Sequence, residues 1–155
     1  MSKIFSRFLE QENVARTLAE IAQNIASFSF DMRTIHLNVG GSDFLSLHEY
    51  AQELYEEAEK QYDTFAEMAI SFNEPVSAMN VLPGDWNSLS PKSFTIHEAV
   101  SLMLERVRAL YDRLESFNGD NYGTFVSSVK DSFLEWLDKQ NYKLCQMSLG
   151  IGEEL

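Results

Sequence analysis

What most constrains this chain is residues 36–67, which set two of its only three histidines, His36 and His48, on either side of Gly40-Gly41 and continue as a helix-long carboxylate series. Beyond the glycines, apolar residues recur at Phe44, Ala51, Tyr55, Ala58, Tyr62, Phe65, Ala69 and Phe72, in steps of three and four with His48 in the gap. That spacing predicts one long amphipathic helix. At about 100° per residue, His48, Gln52, Asp63 and Glu67 share one arc of roughly 100° at the polar edge of the apolar face. Two imidazoles and two carboxylates, His36, His48, Asp63 and Glu67, make a nitrogen and oxygen ligand set of borderline hardness that suits iron, manganese or zinc.

One chain cannot close such a site. His48 and Asp63 are 15 residues apart, which at 1.5 Å per residue is roughly 22 Å, far outside a shared ligand sphere. An antiparallel hairpin through the glycines brings His36 level with His48. Asp63 and Glu67, at i and i+4, form a second half-site further along. A two-fold axis near Tyr55 to Glu57 would set the histidines of one chain against the carboxylates of another, twice per dimer. The expectation is an isologous dimer with two shared sites.

The rest of the chain reads as helix. A first helix over about residues 6–38 follows Val14, Leu18, Ile21, Ile25, Phe28, Met32 and Ile35. Ser42 and Asp43 cap the second, which runs to about Phe72. All three prolines fall within residues 73–92, the one long connection. Thr95 and Glu98 form a capping box opening a third helix along Ile96, Val100, Met103, Val107, Leu110, Leu114 and Phe117, closed by Asn118-Gly119. A fourth covers about residues 124–148 along Val126, Val129, Phe133, Leu137 and Leu144, with Gly150 beyond its end. This is an all-α chain of one domain, residues 1–155, without repeats or linkers.

With His36, eleven residues, His48, fourteen residues, Asp63, three residues and Glu67 in view, the segment HLNVGGSDFLSLHEYAQELYEEAEKQYDTFAEM resembles the ferroxidase motif of the Dps mini-ferritins. The resemblance covers nearly the whole chain in length and helix order. It implies a ferritin-like four-helix bundle with a short extra helix in the connection between helices 2 and 3, for which VSAMNVL with Trp86 packing over it is the candidate, although the residues alone fit an apolar loop tucked onto the bundle surface equally well. It also implies a dodecameric shell built from two-fold dimers. Each shared site would bind Fe(II), oxidise it with hydrogen peroxide or oxygen and pass ferric product to a stored mineral, a ferroxidase that protects against oxidative damage. Two positions depart from the family. Gln52 stands where an acidic residue is usual and offers only a neutral oxygen, which weakens a second iron position. Leu37 stands where tryptophan is common as a guard against radicals, a role for which Tyr62 is the nearby candidate. Asp120, in a GDN segment similar to the family's, is the candidate pore carboxylate.

Charge and composition narrow the partners. The formal net charge is −12 and 45% of the residues are hydrophobic, enough for a core without staples. An acidic surface repels phosphate backbones, and the segments ahead of the first helix and after the last lack a basic run, so DNA binding is expected to be weak or absent. A single cysteine, Cys145, fits a reducing, cytoplasmic setting, and no apolar run reaches the length of a membrane span. His97 reads as structural, Glu56, Glu57 and Glu59 as solvated or intersubunit polar residues, and Met68, Met79, Met103 and Met147 as core filler. The rival readings are a helical-bundle scaffold or interaction protein with no chemistry, and a DNA-protecting nucleoid protein.

Overall fold

The computed structural model describes residues 16–78 and 86–152. Among them are four α-helices and one short 3-10 helix. α1 spans Leu18–Asn38, α2 Phe44–Ser71, α3 Ile96–Ser116 and α4 Thr124–Gly152, with the 3-10 turn over Gly119–Tyr122. α1 packs antiparallel on α2 and α3 on α4, and α1 also lies against α3. The apolar spacing of three of these helices maps directly onto the core. Leu18, Ile21, Ile25, Phe28, Met32 and Ile35 of α1 are fully buried, as are Met103, Val107, Leu110 and Leu114 of α3 and Phe133, Leu137 and Leu144 of α4. Each such Leu, Ile or Phe contributes about 1.5–3 kcal/mol by leaving water.

The helix ends differ from expectation in four places, one of them the start of α2, where the N-cap Asp43 makes no side-chain capping hydrogen bond. α1 begins at Leu18, because Thr17 accepts from the Glu20 backbone N–H while the Glu20 carboxylate accepts from the Thr17 N–H, a complete capping box that stops the helix there. Val14 and the earlier residues assigned to this helix lie outside the described residues. At α3 the box is half formed: Thr95 caps the Glu98 N–H, but the Glu98 side chain turns to Lys92 and the Thr95 hydroxyl. α4 runs past Gly150 to Gly152. The extra helix assigned to VSAMNVL falls largely outside the described residues, and its first three, 76–78, are not helical.

On α2 the predicted apolar face is partly misplaced. Ala51, Ala58, Phe65 and Ala69 are buried, yet so are Leu47, Tyr50, Leu54 and Met68, whereas Phe44 and Phe72 are exposed. The core stripe therefore runs through Leu47, Ala51, Leu54, Ala58 and Phe65, and the Tyr50 hydroxyl donates to Gln140 Oε1 at 2.8 Å to tie α2 to α4. Burial pushes the Tyr50 phenol up.

Polar ties hold the connections. Trp86 is buried against α1: its Nε1–H donates to Asp31 Oδ2 at 2.8 Å, and the Leu89 N–H donates to Asp31 Oδ1 at 2.9 Å. Arg106 of α3 reaches the same carboxylate at 3.5 Å and donates to the Asn87 carbonyl. Arg106 and Arg113 both lie over the Trp86 ring, which Arg113 approaches at 4.8 Å. Burial raises the Asp31 pKa, opposed by the Leu89 and Trp86 hydrogen bonds and the Arg106 charge. At the other end of the bundle Glu74 accepts from the Ala19 N–H and from the Tyr122 hydroxyl, closing the start of α1 over the end of α2.

Candidate metal centre

The turn between α1 and α2 is built to bring two histidines together. Val39 is extended and pairs with Phe94: the Gly40 N–H donates to the Phe94 carbonyl at 3.0 Å, and the Phe94 N–H to the Asn38 carbonyl at 3.0 Å. Gly41 has φ +124°, a backbone conformation that side-chain-bearing residues rarely adopt, so glycine is favoured there, and a Cβ would also press on the Ile96 side chain at 3.2 Å. α2 then turns back antiparallel, with His48 in its first turns opposite His36 in the last turn of α1.

The two imidazoles stack, with ring centroids 3.7 Å apart and planes 20° from parallel. Each is held by the other's backbone: His36 Nδ1 lies 2.8 Å from the His48 carbonyl oxygen, and His48 Nδ1 lies 2.7 Å from the His36 carbonyl oxygen. A carbonyl oxygen only accepts, so both Nδ1 atoms carry the hydrogen, and the lone pair of each neutral ring sits on Nε2. An imidazole anchored through Nδ1–H to a backbone carbonyl has the tautomer and orientation that metal-ligating histidines use. Both rings are half-buried. Phe44 leans on His48 with centroids 4.9 Å apart, and Tyr55 meets His36 edge-on at 5.3 Å. Arg33 lies over the Tyr55 ring at 4.5 Å and is ion-paired to Glu59.

The carboxylate pair is separate. Asp63 and Glu67 are both exposed on α2, with no hydrogen-bond or ion-pair partner among the described residues. No group of three or more His, Cys, Asp or Glu side chains comes together among the described residues. The structure thus pairs His36 with His48 but does not bring Asp63 and Glu67 to them within one chain. Gln52, one turn after His48, donates its amide N–H to Glu56 Oε1 at 2.7 Å. Glu57 accepts from Gln61.

Two residues were missed in the sequence, Tyr55 against His36 and Arg33 stacked on Tyr55. Tyr55 read as core, and Arg33 carries no local signal, since its partners lie on another helix. Tyr62 sits beside Asp63 with its hydroxyl donating to the Ser77 carbonyl at 3.2 Å, so the tyrosine against the histidines of the same chain is Tyr55. Leu37 is 70% exposed beside His36. Asp120 is exposed ahead of α4 and accepts from the Ser127 hydroxyl at 2.7 Å. His97 is exposed in the first turn of α3. No helix among the described residues is long and apolar enough to cross a membrane.

No family model and no curated protein matches this sequence. Solved structures do. A Dps from Deinococcus radiodurans superposes with a TM-score of 0.75 at 16% identity, over 83% of this chain and 81% of that one. A Dps from Staphylococcus aureus gives 0.74 at 19% identity, over 84% and 93%. A Dps from Microbacterium arborescens, solved in a high iron form, gives 0.72 at 16% identity, over 84% and 88%. Helix order, the paired antiparallel hairpins and these superpositions together give the chain the ferritin-like four-helix fold of the Dps mini-ferritins.

Proposed function

We propose that this chain is the subunit of an iron-oxidising and iron-storing mini-ferritin, a cytoplasmic ferroxidase assembled as a dodecameric shell from two-fold dimers. The observation that carries the reading is the reciprocal anchoring of His36 and His48 through Nδ1, which leaves two Nε2 lone pairs preset and uncommitted. The second supporting feature is Asp63 and Glu67, two exposed carboxylates one turn apart without partners among the described residues. Apolar side chains beside the histidines are exposed as well, Leu37 at 70% and Leu45 at 61%, which fits a face covered by a second copy of the chain.

In this reading Fe(II) is the substrate. His36 and His48 of one subunit and Asp63 and Glu67 of its two-fold mate hold it. The imidazoles add affinity for the incoming divalent ion, and the harder anionic oxygens favour Fe(III) after oxidation. Each ferrous ion gives up one electron, so one hydrogen peroxide, accepting two electrons and two protons to become two waters, consumes two ferrous ions. Gln52 leaves the second ion weakly held. The net charge of −12, multiplied over a shell, draws cations inward, with Asp120 as the proposed pore carboxylate. DNA binding at physiological salt is weak or absent.

The test is aerobic and peroxide-driven oxidation of Fe(II) by the wild type and by His36→Ala/Asp63→Ala, with sizing by light scattering. The double variant should assemble normally and lose fast oxidation. Unchanged initial rates would instead support the scaffold reading, and a stable wild-type monomer would remove the shared site. A gel shift with duplex DNA checks the nucleic-acid expectation.

A further inference from the structure

The three glutamates in the middle of α2 are each committed to a partner. Glu59 pairs with Arg33, Glu57 accepts from Gln61 and Glu56 accepts from Gln52. Only Glu56 has a candidate ligand as its partner. A carboxylate accepts and does not donate, so the contact at 2.7 Å fixes which end of the Gln52 amide is which: the NH2 faces Glu56 and the carbonyl oxygen faces away from it. The turn of α2 on the other side of Gln52 is the one that carries His48. A hydrogen bond from an amide N–H to a carboxylate also draws negative charge onto the amide oxygen, which makes it a better donor to a cation.

We infer that Glu56 is a positioning residue that makes Gln52 a usable neutral ligand for a second divalent ion beside His48. The inference rests on the metal reading proposed above and deepens it. An acidic residue at position 52 would bring its own charge and need no such partner. Here the charge sits one turn further along, and it acts through the amide without touching the ion.

The experiment is calorimetric titration of the metal-free assembled protein with Zn(II), which binds nitrogen and oxygen ligands and does not change oxidation state. The wild type should show a tight event, lost in His36→Ala/Asp63→Ala, and a weaker one. Glu56→Ala should weaken the second event by roughly 10- to 100-fold, the usual effect of removing the partner of a ligand, and leave the first unchanged. Gln52→Asp/Glu56→Ala should restore it, a rescue that a merely structural Glu56 would not produce. A weaker event equal in the wild type and Glu56→Ala, or absent from the wild type, overturns the role of Glu56 while the tight event stands. Loss of the tight event from the wild type as well would remove the metal reading itself, and this inference with it.

Discussion

α1 carries two polar clusters within a turn and a half of each other, and they are built in opposite ways. Asp31 is 1% exposed and spends both oxygens inside the chain, on Trp86, the Leu89 backbone and Arg106. His36, half-buried, spends Nδ1 on the His48 carbonyl and keeps Nε2. A polar group whose hydrogen-bonding capacity is exhausted within the fold holds the fold. One anchored at a single atom with a lone pair in reserve is prepared for a ligand. The same helix therefore provides a fastening for the long connection and half of a candidate metal site.

The largest effect that separates the two is expected for Asp31→Ala, which leaves the Arg106 charge, the Trp86 N–H and the Leu89 N–H without their common acceptor. Its cost should be about 3–5 kcal/mol of unfolding free energy, measured by denaturant titration. A loss near zero would mean that the connection is held by apolar contacts alone. His36→Ala reverses the pattern: divalent-ion affinity should fall on the order of 100-fold, because a ligand is at least as sensitive as its partners, while stability falls by only about 1 kcal/mol for one lost hydrogen bond. Should His36→Ala destabilise as much as Asp31→Ala, the histidine pair is a structural fastening too.

Trp86→Phe tests one arm of the fastening. It keeps most of the ring that Arg113 covers and deletes one donor, and thermal melts should register about 1 kcal/mol, since Arg106 still serves Asp31 Oδ2. A cost above that of Asp31→Ala would show that the ring matters more than the carboxylate. The smallest effect is in the pH profile. Burial raises Asp31 above its ordinary value of 3.8 in the folded chain, so its protonated form is favoured by folding. Its contribution is fully present below the ordinary value and is lost as pH rises through the folded-state value. Wild-type stability relative to Asp31→Asn should decline over that window. A difference that is flat, or that rises, would show that the hydrogen bonds and Arg106 outweigh burial.

Much of the fold was legible because it is periodic. The three-four spacing of α1, α3 and α4 put Phe28, Leu110 and Phe133 in the core, where they are fully buried. α2 misled because it carries apolar residues on more than its core stripe. Phe44 and Phe72 extend the pattern but lie outside the core, while Leu47 and Leu54 complete it, and spacing alone does not rank two overlapping arcs. The start of α1 was written in Thr17 and Glu20, a capping box hidden inside an apolar pattern that seemed to continue through Val14.

The sequence alone determined the pairing of His36 with His48, since a glycine turn between two helices leaves little freedom over so short a span, and it separated both from Asp63 and Glu67 by the fixed rise of a helix. Only the tertiary structure decided how each residue is used. The free nitrogen of each imidazole follows from a carbonyl on the neighbouring helix. The burial of Asp31 follows from Trp86 and Leu89, 55 and 58 residues away. Periodicity reports which face of a helix is apolar, but a hydrogen bond depends on where two distant side chains meet, and that is set by packing.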